Sequence, residues 1–229
     1  MTIAENLRSV KSRIEQAARL SGREPGEIKL VAATKDVPAD LIKEAIDAGL
    51  TDIGENRVQE AKQKFDALKG RPVAWHMIGH LQTNKVKAAL EIFSVIQSVD
   101  SGRLADEISQ RAQKCVEIFI EVNTSGEESK FGIAPEKATW LAEHISGLKN
   151  LKLTGLMTVG PLAGDEKAVR TSFRLLKSIF VQIKGLNLSG GELKYLSMGM
   201  SQDFETAIEE GSNLVRIGRA IFGIEHPHP

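Results

Sequence analysis

Residues 28–35 read IKLVAATK, a run of apolar and small residues that ends in an amine, and this stretch indicates how the chain folds. Such a run, bounded by polar residues, is typical of a parallel strand that is covered on both faces. Lys35 lies at the carboxyl end of the run, and a helix start follows at Pro38. Because parallel sheets carry their reaction sites at the carboxyl ends of the strands, the Lys35 side chain is predicted to point into such a site.

Similar runs recur along the chain, with helical patterns between them. The eight predicted strands span residues 28–34, 52–54, 74–78, 94–98, 117–122, 153–157, 195–198 and 213–217. Strand–helix repeats with short connections predict an α/β fold, a closed parallel (β/α)8 barrel of the TIM type. An open doubly wound sheet is the alternative, which is weakened because no glycine-rich dinucleotide motif follows the first strand.

The domain organisation is predicted to be simple. In residues 2–20, apolar side chains recur at spacings of three and four, and Ser21-Gly22 ends the pattern, so residues 1–22 form an extra N-terminal helix ahead of the barrel. No linker or low-complexity block divides the rest. We therefore expect one domain over residues 1–229, with residues 226–229 as a loose tail.

The composition argues against several classes of protein. The formal net charge is +0, so no overall field attracts the chain to nucleic acid or to an anionic membrane. No long apolar segment begins the sequence, so neither a signal peptide nor a membrane span is predicted. Cys115 is the single cysteine, which fits a reducing cytoplasm, and we expect it to be a packed core thiol. His226 and His228 lack neighbouring ligands, so no metal site is predicted.

Two late loops carry the residue types that bind phosphate. Their candidate residues are Ser197, Gly199, Met200, Ser201, Gly218 and Arg219. Glycines let backbone N–H groups approach phosphate oxygens, Ser201 is expected at a helix start, and Arg219 could neutralise a dianion. The loops after strands seven and eight of such barrels commonly hold phosphate. Ordinary turn glycines and a helix cap are the alternative explanation.

The amine and the two loops together suggest a ligand. In a closed barrel the last strand pairs with the first, so Lys35 and Arg216 become neighbours. A desolvated lysine can lose its proton and attack an aldehyde. An aldehyde that also carries a phosphate suggests pyridoxal 5′-phosphate. Direct capture of a sugar phosphate, as in a barrel aldolase, is the alternative, although no acid–base carboxylate paired with the lysine stands out.

Three polar residues near the strand ends are further candidates for cofactor binding. Arg216 lies in an apolar run, so it needs either a carboxylate, Glu55 or Asp100, or the pyridine nitrogen of the cofactor. In the second case that nitrogen stays unprotonated and the ring is a weaker electron sink. Asn56 could bond the phenolic oxygen of the ring or cap the next helix. His76 is interpreted first as a satisfied core histidine and second as a cofactor contact.

The motifs resemble one family over essentially the whole chain. After Thr34-Lys35, they are GENRVQE at residues 54–60, WHMIGHLQTNK at 75–85, SMGMSQD at 197–203 and VRIGRAIFG at 215–223. They resemble the pyridoxal phosphate homeostasis protein family (the YggS or PROSC type). These motifs are long, ordered and specific.

The resemblance implies a barrel similar to the cofactor domain of alanine racemase, with an internal aldimine on Lys35. It implies a phosphate pocket at Ser201, Gly218 and the loop around Gly199, and Arg216 as the partner of the ring nitrogen. Many relatives carry serine or threonine where this chain has Arg219, so the hydroxyl contact to phosphate is in doubt here, while a backbone N–H could remain and the guanidinium could add charge.

The same resemblance implies a carrier or regulator of the cofactor, linked to amino-acid and keto-acid balance, without an established catalytic turnover. Apo-enzymes that use pyridoxal phosphate are the expected recipients, and a cytoplasmic monomer is expected. An amino-acid racemase on the same barrel is the alternative. Racemisation needs acid–base groups on both ligand faces, yet the only tyrosine, Tyr195, is expected in the core at strand seven, so no catalytic residue is assigned.

Overall fold

Eight parallel strands close into a barrel in which each strand neighbours the next along the chain and the last returns to the first. This computed structural model describes residues 2–161 and 165–224. The strands are β1 (Lys29–Ala33), β2 (Asp52–Glu55), β3 (Ala74–Met77), β4 (Val95–Val99), β5 (Val116–Glu121), β6 (Leu151–Met157), β7 (Tyr195–Ser197) and β8 (Leu214–Ile217). The predicted (β/α)8 barrel is therefore confirmed.

The closed strand order, in which β8 pairs back with β1 so that every strand has two neighbours, excludes the doubly wound alternative. Ala32 pairs with Ile53 of β2, and Val31 pairs with Arg216 of β8. An open sheet would have two edge strands, each of them unpaired on one side. The predicted strand boundaries agree with the observed ones to within two residues. This closure brings residues near the two ends of the sequence together at one side of the barrel.

Helices surround the barrel, and the leading helix α1 packs on those that follow the last strands. The helices are α1 (Ile3–Leu20), α2 (Ala39–Asp47), α3 (Val58–Ala67), α4 (Val86–Leu90), α5 (Gly102–Arg111), α6 (Ala138–Ser146), α7 (Glu166–Gly185), α8 (Phe204–Glu209) and α9 (Arg219–Phe222). Thr2 and Glu5 form a capping box that starts α1. The Arg13 guanidinium lies 4.6 Å from the ring centroid of Phe204. The predicted N-terminal helix is thus confirmed as an outer layer.

The apolar core has two parts, because each strand has one face towards the helices and one towards the barrel interior. The larger part fills the space between strands and helices. The smaller part lies in the interior, here called the lumen, and consists of Val31, Val95, Phe119, Met157 and Leu214. Since successive side chains alternate between the two faces, residues an even number of positions from these five face the lumen as well. Several polar and charged residues that are described below lie at such positions.

Some expectations fail or fall outside the described residues. Cys115 is exposed, so the expectation of a core thiol is wrong: it lies in the connection just before β5 rather than in the strand. Among residues 2–161 and 165–224, no helix is long and apolar enough to cross a membrane. The same residues contain no group of three or more potential metal ligands. The tail at 226–229 lies outside the described part of the chain.

The buried face of α1 is expected to contribute to stability. Leu7 is 1% exposed, whereas Leu20, at the end of the same helix, is 77% exposed. Leu7→Ala is expected to lower the free energy of unfolding by about 3 kcal/mol, because it removes buried methyl groups and leaves a cavity. Leu20→Ala, the matched control, is expected to change it by less than about 0.5 kcal/mol. Urea denaturation measures both; equal effects would show that α1 does not pack on the barrel in solution.

Candidate functional site

Lys35 follows the carboxyl end of β1 and is half-buried. It lies two residues past Ala33, the last residue of β1, at the mouth of the barrel. Within the described ranges, no hydrogen bond or ion pair holds its amine. The amine is therefore available to a ligand at the end of the barrel where such folds carry their sites.

The backbone on both sides of Lys35 is anchored by α3. Lys64 Nζ donates to the carbonyl oxygen of Thr34 at 2.5 Å. The Asp36 N–H donates to Glu60 Oε1 at 2.6 Å, and Asp36 has a φ of 58°, in the left-handed region that most residues avoid. These two bonds fix the peptide units that flank Lys35, so only its side chain is free to move.

A buried charged cluster lies beneath this anchor. Lys64 Nζ lies 2.8 Å from Glu55 Oε1 and 2.5 Å from Glu60 Oε1, and the Thr34 hydroxyl donates to Glu55 at 2.5 Å. Burial raises the pKa of Glu55, against the opposing effect of the Lys64 and Thr34 hydrogen bonds. Neither Lys64 nor Glu60 was assigned from the sequence. Their i,i+4 spacing, close to a carboxylate in an apolar strand, was a signal that they form an ion pair.

Arg216 lies inside the lumen and is held by two oxygen acceptors. Nη1 donates to Ser197 Oγ at 2.6 Å, and Nη2 donates to the carbonyl oxygen of Thr158 at 2.7 Å. The expected ion pair with Glu55 or Asp100 is wrong, since those carboxylates bond Lys64 and His80 instead. Burial lowers the pKa of Arg216 to about 10, so the guanidinium remains charged at neutral pH.

Two glycines shape the rim formed by the loops after β7 and β8. A Cβ on Gly218 would lie 2.7 Å from the carbonyl oxygen of Ala33, so this loop packs directly on β1, two residues before Lys35. Gly199 has a φ of 98°, and a Cβ there would lie 2.6 Å from the Cβ of Ala207. A larger residue fits at neither position. The sequence prediction that these loops and Lys35 share one end of the barrel is therefore supported by close packing.

Ser201 joins the two loops. Its Oγ accepts a hydrogen bond from the Ala220 N–H at 3.3 Å. The expectation that Ser201 stands at a helix start is wrong by three residues: α8 begins at Phe204, and Asp203 Oδ1 accepts from the Met200 N–H at 2.6 Å in the preceding turn. This turn exists because a short carboxylate can satisfy a nearby backbone donor before the helix begins.

Several donors at the rim have no partner in the part of the chain that the structure describes. They are the N–H groups of Ser201 and Gln202 and the buried Nε of Arg219. Buried donors are rarely left unsatisfied, so an orphaned guanidinium nitrogen beside free amides is a feature of an anion-binding site. The rim formed by residues 199–202 and 218–219 can therefore accept an anionic group.

Asn56 lies past the carboxyl end of β2, with its backbone against Gly79. A Cβ on Gly79 would lie 2.5 Å from the carbonyl oxygen of Asn56. The helix that follows has Arg57 at its N-cap and no side-chain cap, so the expectation that Asn56 caps it is wrong. Among the described residues its amide has no hydrogen-bond partner. It is free to bind a ligand.

His76 and Ser197 are buried and their hydrogen bonds are already made. His76 Nε2 lies 3.0 Å from Asp52 Oδ1, and its Nδ1 lies 3.0 Å from Gln97 Nε2. Ser197 Oγ donates to Gln97 Oε1 at 2.7 Å and accepts from Arg216. The interpretation of His76 as a satisfied core histidine is supported. Both ring nitrogens of His76 and the hydroxyl hydrogen of Ser197 are therefore already used, and none of them is left for a direct hydrogen bond to a ligand.

Glu121, at the end of β5, was not assigned from the sequence. It lines a cavity of about 440 Å³ at the mouth of the barrel, together with Asn56, His80 and Phe131. The side chain is buried, and Oε2 has no hydrogen-bond partner within the described ranges. Burial raises its pKa to about 7, with Asp100 adding to the rise and Arg216 opposing it. The carboxyl group can therefore hold or release a proton near neutral pH.

Glu121 is expected to make stability depend on pH. Its ordinary pKa is 4.5 and its folded value about 7, so between these values the folded state keeps a proton that the unfolded state releases. This contribution is fully present below about pH 4.5 and is lost as the pH rises through 7. Glu121→Gln is expected to be more stable than the parent protein at about pH 8, by up to about 3 kcal/mol, and similar at about pH 4.

Urea denaturation of both proteins at the two pH values measures the difference. The control is Glu136→Gln, which changes a carboxylate outside the strands of the barrel. A gap between Glu121→Gln and the parent protein that is the same at both pH values would contradict the raised pKa.

Comparisons with known proteins agree with this geometry. The family model described as alanine racemase, N-terminal domain, matches residues 2–226. A relative from Aquifex aeolicus, named pyridoxal phosphate homeostasis protein, is 44% identical and the match covers 97% of this chain and 98% of the relative. PipY of Synechococcus elongatus, solved with pyridoxal phosphate bound, is 31% identical with a TM-score of 0.85, over 97% of this chain and all (100%) of PipY.

A further solved structure shows the fold alone. Alanine racemase of Corynebacterium glutamicum is 16% identical with a TM-score of 0.74, and the match covers 97% of this chain and 61% of the racemase. The barrel is thus shared with a longer enzyme. By the family model and the curated relatives, this chain belongs to the pyridoxal phosphate homeostasis protein family.

Proposed function

We propose that this family member binds pyridoxal 5′-phosphate at the mouth of its barrel and serves in cofactor homeostasis, with Lys35 holding the cofactor covalently as an internal aldimine. The observation that carries the proposal is an unpaired amine that follows β1, on which the anion-accepting rim packs through Gly218. When bound, the cofactor supplies an aldehyde that condenses with amines. The relatives' names and the ligand in PipY support the same assignment.

The donors at the mouth match the functional groups of this cofactor. A phosphate dianion would be bound by the free amides of Ser201 and Gln202 and by Arg219, whose guanidinium adds a positive charge. Gly199 and Gly218 allow the backbone to approach it. The Asn56 amide is an unused donor for the phenolic oxygen of the ring. Met200 completes the loop between the glycine and the serine.

Arg216 is proposed as the partner of the ring nitrogen. Its pKa of about 10 keeps it charged, so it donates a hydrogen bond and the nitrogen stays unprotonated. An unprotonated pyridine stabilises a neighbouring carbanion less well than a protonated one. This electrostatic arrangement favours holding the cofactor over deep carbanion chemistry.

The covalent link to Lys35 is tested by substitution. Lys35→Ala is expected to abolish the borohydride-fixable adduct, because it removes the amine that lies beside the anion-accepting rim and would condense with the aldehyde. Reduction of the cofactor-loaded protein followed by peptide mass mapping locates the adduct. Lys62→Ala, which removes an exposed lysine of α3, is the control and should keep it. An adduct that persists in Lys35→Ala, or that maps to another lysine in the parent protein, would remove the assignment.

A carrier fits the site better than a racemase does. A second acid–base group opposite Lys35 would be needed for racemisation. Tyr195 is the first residue of β7, at the amino end of the barrel, where it stacks on Phe119 with ring centroids 5.6 Å apart. It is therefore at the opposite end from Lys35. We infer a cytoplasmic monomer that receives the cofactor and releases it to apo-enzymes.

The loaded protein is expected to reactivate a cofactor-depleted aminotransferase while leaving L-alanine unchanged in configuration. Transfer follows from the partial exposure of Lys35, and the lack of racemisation follows from the position of Tyr195 at the opposite end of the barrel. Aminotransferase activity and chiral chromatography measure the two outcomes, with unloaded protein as the control. Rapid formation of D-alanine that is lost in Lys35→Ala would favour the racemase instead.

A further inference from the structure

A single file of hydrogen bonds crosses the lumen. Its members, here called the lumen relay, are buried side chains of five strands: Asp52, His76, Gln97, Ser197 and Arg216. Successive members are joined by distances of 3.0, 3.0, 2.7 and 2.6 Å. The interiors of such barrels are dominated by branched apolar side chains. A continuous polar path therefore calls for a function that offsets the cost of burying these groups.

The lumen relay runs from one end of the barrel to the other. Asp52 is the first residue of β2, and the amine of Lys29, the first residue of β1, lies 3.0 Å from it. Ser197 is the last residue of β7. The step from Gln97 to Ser197 joins β4 to β7 across the lumen rather than between neighbouring strands. The lumen relay thus connects the amino end of the barrel to Arg216, which carries a positive charge near the mouth.

The donors and acceptors of the lumen relay have one consistent direction. Burial opposes ionisation of Asp52, but hydrogen bonds from His76, Thr51 and Lys29 outweigh it and lower its pKa to about 2, so Asp52 only accepts. His76 Nε2 must then carry the ring proton. Its Nδ1 accepts from the Gln97 amide nitrogen, which leaves Gln97 Oε1 to accept from the Ser197 hydroxyl.

This direction determines how Arg216 is held. Because the Ser197 proton is committed to Gln97, a lone pair of Ser197 Oγ is left for Arg216 Nη1. The Thr158 carbonyl holds Nη2. Without the Gln97 acceptor the Ser197 side chain would be free to change rotamer, which would move the oxygen that Arg216 Nη1 bonds. The orientation of the guanidinium depends on residues that lie up to four hydrogen bonds away.

We propose that Asp52, His76 and Gln97 are positioning residues, which hold Arg216 through Ser197 so that its remaining N–H groups face the ring nitrogen of the cofactor. The role towards the ring rests on the proposed function; the direction of the lumen relay does not. The hydrogen bonds of all three are made within the barrel, so no contact with the ligand is assigned to them. Gln97 is the critical link, since its bond to Ser197 is the step of the lumen relay that crosses from β4 to β7.

The direction is tested first in the cofactor-free parent protein. Nitrogen-15 NMR of the histidine rings is expected to show His76 with a protonated Nε2 and an unprotonated, hydrogen-bonded Nδ1. In Gln97→Met the Nδ1 signal is expected to move to that of a nitrogen without a hydrogen bond. A proton on Nδ1 in the parent protein would overturn the proposal, whether or not any variant folds.

The positioning role is tested by cofactor binding. Gln97→Met is expected to weaken the affinity for pyridoxal phosphate by about tenfold, the equivalent of one lost hydrogen bond, and to shift the visible absorption band. Ser98→Ala is the matched control: Ser98 is the next residue of β4, is fully buried, and its Oγ has no partner among the described residues. It should bind as the parent protein does.

The outcomes separate this proposal from the proposed function. If the parent protein forms no adduct at Lys35, the proposed function fails, and the NMR result still decides the direction of the lumen relay. If the parent protein forms the adduct while Gln97→Met keeps the parent affinity and band, the positioning role alone fails. A loss of affinity that is equal in Gln97→Met and Ser98→Ala would also overturn it, because it would reflect general damage to β4.

Discussion

The burial of one guanidinium inside a closed barrel is the constraint on which the rest of the site depends. Arg216 has no carboxylate within ion-pair distance among the described residues, so its charge is held by hydrogen bonds to Ser197 and Thr158 and by the longer-range attraction of Glu121 and Asp203. Burying a charge without such partners would cost several kcal/mol. Strands β4 and β7 must therefore be placed so that Gln97 lies within hydrogen-bond distance of Ser197. The same arrangement is required by the packing of the lumen and by the role proposed for Arg216.

The barrel could be predicted from the sequence because its strands are short, nearly continuous apolar runs separated by helical patterns. The same alternation of strands and helices also placed Lys35 and the glycine loops at the carboxyl ends of their strands. The helix after β7 was placed too early, since Asp203 caps a turn that the pattern of polar residues does not distinguish from a first helical turn. Cys115 was misjudged because it precedes the strand by one residue.

The partners of the buried polar residues could not be predicted in the same way. Gln97 bonds Ser197, which lies 100 residues further along the chain, and Glu121 feels the charge of Arg216; only the closure of the barrel brings these residues together. A partial signal was present: Glu121 has the same parity as Phe119 and therefore faces the lumen. An acidic residue on the lumen face of a strand is as strong an indication of a site as Arg216 is. Sequence periodicity identifies the face but not the neighbour.

The seam between β1 and β8 has a consequence for biosynthesis. Gly218 packs against Ala33, so the two halves of the binding site come from opposite ends of the sequence. A chain emerging from the ribosome exposes Lys35 long before residues 216–219 have been made. Until the last strand docks, that amine has neither residues 218–219 nor Arg216 beside it. The complete constellation of amine, rim and guanidinium therefore exists only after translation and closure of the barrel.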